Sequence, residues 1–168
     1  YNKNINKGHP DHKVRRKHST PTSQQGTEEM PLIEVDGLKT HYEVIGDGPP
    51  LLMCSPGGFD ARVEQWTDLG VYKRIKLLEH LPKQYKCILF DRRENGRSDG
   101  RVEQITWTHY AQQAAGLLDH LKIDQADILG GCMGCSVVVA FGVLFPERTL
   151  SMILYWPVGG VKYRLNSH

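Results

Sequence analysis

A cysteine framed by glycines is where this chain offers chemistry. Residues 130–134, GGCMG, lie within ADILGGCMGCS, Ala126 to Ser136, and fit the GxSxG nucleophile elbow with Cys132 in place of serine. In such an elbow a strand turns sharply into a helix. The nucleophile then sits on strained backbone, and a side chain two positions either way would clash. Gly130 and Gly134 meet that demand. Ile128 and Leu129 read as a buried strand end, and Val137, Val138, Val139, Ala140, Phe141 and Val143 as the start of a buried helix. At a helix N-terminus the unpaired amides and the macrodipole favour an anion, which suits a thiolate attacking an ester, lactone or thioester carbonyl.

Two upstream stretches narrow the reading. YKCILFDRRENGRSD, residues 85–99, is an apolar strand followed by a turn that resembles the DxRGxGxSD segment of the α/β-hydrolase superfamily. LLMCSPGGFD, residues 51–60, resembles that family's strand and oxyanion loop, with Pro56 and Gly57 where many members carry His and Gly. Downstream, FPERTLSMILYWPVGG, residues 145–160, is similar to the family's helix end and next core strand, so the likeness runs over roughly residues 30 to 160 in the family's order.

The resemblance implies roles. Cys132 would be the nucleophile and form a covalent acyl-enzyme, with the oxyanion held by the amide of Met133 and by that of Gly58, Phe59 being the neighbouring candidate. Gly57 and Phe59 would border the substrate. Trp156 and Pro157 follow a strand whose carboxyl end faces the site, so they either line the pocket or merely leave the strand. Asp91, Gly96 and Ser98 would be structural, Asp91 accepting local amides and Gly96 taking a positive φ; the departure is Glu94-Asn95 where a glycine is commonest. The triad acid and base of the family follow the nucleophile. Residues 133–168 hold no Asp and only His168, while His41, His80, His109 and His120 precede Cys132. The expectation is therefore the amino-terminal portion of a hydrolase, inactive by itself, with a cap and later strands missing and its exposed sheet edge prone to association.

Rival readings stay open. Cys132 could be an inert thiol in a hydrolase-like binding protein that has lost catalysis. Cys132 and Cys135 also form a CxxC at a helix start, the arrangement of a thiol-disulfide oxidoreductase, though that does not explain the upstream loop and turn. A metal there would need two more ligands, and His109 and His120 share one expected helix, so no metal or cofactor is called for.

The elements that must position these residues alternate between strand and helix. Leu32 to Val35 and Thr40 to Ile45 flank Asp36-Gly37 and read as an antiparallel edge hairpin. Strands are expected over Leu51 to Ser55, Tyr85 to Phe90, Asp127 to Leu129 and Leu150 to Tyr155. Helices are expected over Gln65 to Leu81, from a Thr106 cap through Leu121, and from the elbow to near Pro146. The implied class is α/β: a mostly parallel sheet with an antiparallel amino-terminal hairpin and helices on both faces, an incomplete α/β-hydrolase fold.

At 168 residues and 39% hydrophobic content, one packed domain is expected over residues 30–168. Residues 1–29 are polar and basic, so a disordered tail is expected, read as sequence upstream of a family-like start at Met30. A nucleic-acid-binding arm at KVRRKH, residues 13–18, is the sharper alternative, but the domain itself is near neutral and no nucleic-acid partner is expected. No run reaches the length of a membrane span. Four cysteines make no disulfide scaffold, which points to a reducing cytoplasm. The expected partner is a small-molecule ester or lactone; oligomeric state is left open.

Overall fold

In the computed structural model, which describes residues 31–101 and 103–158, six strands form one sheet in the order β1-β2-β4-β3-β5-β6. β1 (Leu32–Val35) and β2 (Leu38–Ile45) are an antiparallel hairpin. Its turn residues Asp36 and Gly37 have φ of 52° and 66°, the pair of left-handed conformations that a two-residue type I′ turn requires. β2 runs antiparallel to β4 (Lys86–Phe90), and β4, β3 (Pro50–Cys54), β5 (Ala126–Gly131) and β6 (Thr149–Tyr155) are mutually parallel. The expected class and hairpin are observed. The tail over residues 1–29, and Gly159, Gly160 and His168, lie outside the described residues.

The central strands are buried on both faces, as a parallel sheet covered by helices demands. Alternation sends Leu52, Cys54, Ile88, Phe90 and Ile128 to one face, against α4 (Trp107–His120) and α5 (Gly134–Leu144). It sends Leu51, Met53, Cys87, Leu89 and Leu129 to the other, against Trp66 and Tyr72. β6 is different: Leu150, Met152, Ile153 and Leu154 are all exposed along an edge strand. No helix among the described residues is long and apolar enough to cross a membrane.

The single helix expected over Gln65 to Leu81 is three short ones: α1 (Gln65–Asp68), α2 (Gly70–Ile75) and α3 (Leu77–His80), followed by a 3-10 turn at Leu81–Lys83. Leu69 is extended and Lys76 is left-handed, with φ of 52°. The reason is coverage. Six residues of straight helix are about 1.7 turns, so Trp66 and Tyr72 would point to different sides, yet both bury on the same sheet face. Breaking the helix re-aims each piece. α4 follows expectation, with Thr106 and His109 forming a reciprocal cap.

Candidate active site

The elbow is built as its glycines require. Cys132 leaves β5 with φ of 51°, a left-handed conformation that costs an L-residue roughly 1–2 kcal/mol and persists only where the surroundings enforce it. They do so on both sides. A Cβ on Gly130 would lie 2.6 Å from the Gly134 carbonyl oxygen and 2.7 Å from the Cys135 nitrogen, and one on Gly134 would drive into the Cys54 carbonyl of β3. The Cys132 N–H donates to the Tyr155 carbonyl at 3.1 Å, and its own carbonyl accepts from Cys135 N–H at 3.2 Å, opening α5. Cys132 is half-buried and packs on the face that holds Tyr72.

Tyr72 was not singled out in the sequence. Its hydroxyl donates to the Tyr155 carbonyl at 3.3 Å, and its ring meets Trp66 and Tyr155 edge-on at 5.3 and 5.7 Å. Burial pushes its phenol well above the ordinary range. A neutral tyrosine thus braces the underside of the elbow. Cys135 is buried and its Sγ lies 3.1 Å from the Gly130 carbonyl, a packing position in which burial raises its thiol.

The DRRENGRS turn is a polar clamp that ties three segments together. Asp91 is fully buried. It accepts Val63 N–H at 2.8 Å, Arg97 N–H at 2.8 Å and Arg97 Nε at 3.0 Å, and it faces His41 Nδ1 at 3.2 Å. Burial alone would raise this carboxyl, but the bonds from Arg97 and Val63 and the neighbouring His41 hold it below the usual carboxylate range. Ser98 Oγ donates to the Asp91 carbonyl at 2.7 Å and accepts His41 N–H at 3.0 Å. Gly96 has the expected positive φ, 58°, and Glu94, standing where glycine is commonest, adopts a glycine-like 67°. Asn95 Oδ1 accepts Ala61 N–H at 2.8 Å, so the clamp holds the far end of the loop that starts at Ser55.

That loop carries Gly57, with φ of 103° and no room for a Cβ beside the Asp60 carbonyl, then Gly58, open on its Cα side, and the fully exposed Phe59. Gly58, Phe59 and Met133 line one cavity of about 610 Å³, which joins the loop to the elbow. Among the described residues neither the Gly58 nor the Met133 amide has a backbone acceptor. Pro157 lines a second cavity of about 500 Å³ with Cys135, Ser136 and Val139, and Trp107 borders both. Trp156 is exposed, with φ of 56°, and like Cys132 is not among the residues that line the two cavities. Arg92 also forms part of the first cavity; its only sequence signal is a charge two residues past a buried strand.

With a parallel sheet, a strained residue between strand and helix, and a clamped glycine loop facing it, the class is set. Residues 49–157 match the model of the alpha/beta hydrolase fold family, and the chain belongs to it. Among curated relatives, a 2-hydroxymuconate semialdehyde hydrolase of Pseudomonas putida is 36% identical over 136 residues, 81% of this chain and 46% of that protein. A 2-hydroxy-6-oxo-6-phenylhexa-2,4-dienoate hydrolase of Comamonas testosteroni is 31% identical over 120 residues, 71% of this chain and 40% of the relative. The fold is also that of the enol-lactonase of Burkholderia xenovorans LB400, with a TM-score of 0.63 at 23% identity over 73% of this chain and 45% of that one. The chain spans less than half the length of these relatives.

Proposed function

We propose that this chain carries the nucleophile and oxyanion half of a hydrolase that cleaves a carboxylic ester or lactone through Cys132. The carrying observation is the left-handed Cys132 between β5 and α5, with the amides of Met133 and Gly58 bordering one cavity. In the reaction the Cys132 thiolate adds to the carbonyl carbon. The oxygen takes the electron pair and is held by the two N–H groups, where a single donor of this kind is worth about 3 kcal/mol of barrier. Collapse expels the alcohol oxygen, which takes a proton, and leaves a thioester; water then adds to the thioester and releases a carboxylic acid and the thiol.

The second step needs a general base. His41 faces Asp91, His109 caps α4 and His120 reaches the Tyr42 hydroxyl, so these histidines serve elsewhere. In the relatives' chain order the acid and base come after the nucleophile. Apolar side chains exposed along β6 are what a further strand and helix would bury, which supports a sheet that continues in the whole protein. On this reading these residues supply the acylating half of the reaction, and turnover belongs to the whole protein.

Incubation with 4-nitrophenyl acetate followed by peptide mass spectrometry tests this. The expected result is one acetyl group on the Cys132 peptide, accumulating faster as pH rises and absent from Cys132→Ala. Acetylation that ignores Cys132 would overturn the acyl-enzyme and favour a binding protein.

A further inference from the structure

Buried charges are met by an opposite charge or by a full set of hydrogen bonds, because transfer out of water otherwise costs several kcal/mol. The adjacent arginines after β4 are both buried, Arg92 at 6% and Arg93 at 2% exposure, and they are met differently. Arg93 is paired with the Glu103 carboxylate. Among the described residues Arg92 finds only neutral company. Its Nη2 donates to the Gly58 carbonyl, its guanidinium lies 4.5 Å over the Tyr110 ring, and its Nε and Nη1 have no acceptor among the described residues. The titratable groups that act on it are Tyr110 and Cys54, and no carboxylate is among them. Glu94 borders the same cavity with an exposed side chain and makes no ion pair with Arg92 among the described residues.

This uncompensated cation forms part of the wall of the 610 Å³ cavity that also holds Gly58 and Met133. Ile105, Trp107 and Tyr110 give the same cavity an apolar and aromatic wall. We infer that Arg92 anchors a carboxylate on the substrate, so that the site selects mono-anionic esters or lactones with an apolar body over neutral ones. The ester or lactone part rests on the function proposed above; the anion site does not require Cys132 to react. A guanidinium pairs a carboxylate through two parallel N–H bonds, and the aromatic wall takes the rest of the molecule.

The test is binding of 3-phenylpropanoate against its neutral isostere 3-phenylpropanamide by calorimetry, on the native chain and on Arg92→Met, Arg92→Lys and Glu94→Gln. The carboxylate is expected to bind about tenfold tighter than the amide, the worth of one charge-assisted hydrogen bond. R92M should erase that preference, R92K keep part of it, and E94Q leave it intact or enlarge it. Equal binding of the two probes by the native chain, or no binding of either, overturns the inference. So does a preference that survives in R92M, since that places the carboxylate on the oxyanion amides, as any hydrolysis product would be. If R92M fails to fold by circular dichroism, the native comparison and R92K decide. Iodoacetamide labelling of Cys132 in parallel separates the two readings. A reactive Cys132 without carboxylate preference removes the anion site alone, and an unreactive Cys132 with an Arg92-dependent preference removes the acyl-enzyme alone.

Discussion

Replacing Cys132 by glycine should stabilise the chain relative to replacing it by alanine. The residue holds φ of 51°, where an L-side chain costs roughly 1–2 kcal/mol and glycine costs nothing. Glycine's freer unfolded chain returns about 0.4–1 kcal/mol against that gain. The net is about 0.5–1 kcal/mol in favour of C132G over C132A, or about 0.3–0.5 M in urea midpoint at an ordinary slope. Both variants lose the thiol, so the comparison isolates the backbone. Ala140, eight positions on within α5, supplies the control, since A140G in ordinary helix should lose about 1 kcal/mol. The assay is equilibrium urea unfolding followed by fluorescence and far-UV circular dichroism. A C132A protein as stable as C132G, or more so, would mean that the turn is not strained. The elbow would then have no physical claim to raise its residue for reaction.

Three other outcomes are expected. Iodoacetamide should label the half-buried Cys132 in the native chain and leave the buried Cys54 and Cys87 unlabelled until urea is added. Burial pushes those two thiols up to about 12 and about 11, and equal labelling rates by mass spectrometry would refute the packing around them. Gly134→Ala should cost about 2–3 kcal/mol in the same urea assay, because its Cβ meets the Cys54 backbone, which has no flexible end to yield. Asp91→Asn should lose about 2–3 kcal/mol near neutrality, as the amide can accept only part of what Val63 and Arg97 donate. Because the folded Asp91 carboxyl is depressed, its contribution is complete above the unfolded value of about 3.9 and fades as pH falls below it. The native protein should thus lose stability in that acid window, and D91N should show a flatter decline; parallel curves would contradict the clamp.

Much of the fold was legible because its signals are local. Asp36-Gly37 dictates a tight hairpin, Thr106 caps the helix that follows it, and Gly130 and Gly134 leave a single way to pass from β5 to α5. The path from Gln65 to Lys83 was not legible as drawn. Gly70, with φ of 39°, marks the first break, while nothing local marks Lys76; the need to lay Trp66, Tyr72, Leu77 and Leu78 on one sheet face accounts for its left-handed turn. That demand belongs to the sheet and not to the segment. β6 reads as an apolar strand, and the exposed edge expected from the chain order of the motifs is where its side chains stand.

The candidate site divides the same way. The proposed nucleophile is written in five consecutive residues, whereas the wall opposite depends on which partners the chain brings from a distance. Arg92 and Arg93 are neighbours of identical type; the resemblance to DxRGxGxSD places Arg93 on the motif's arginine and leaves Arg92 at a variable position with no stated partner. The strand end sends them to different surroundings: Arg93 reaches Glu103 and the Gln113 amide oxygen accepts its N–H at 2.8 Å, while Arg92 is turned under Tyr110 toward the Gly58 carbonyl. One charge is thereby neutralised within the fold, and the other meets no carboxylate among the described residues. A motif can therefore announce a strained cysteine between strand and helix, while the cavity wall beside it is made by contacts between α4, the β4 turn and the glycine loop that only tertiary structure assembles.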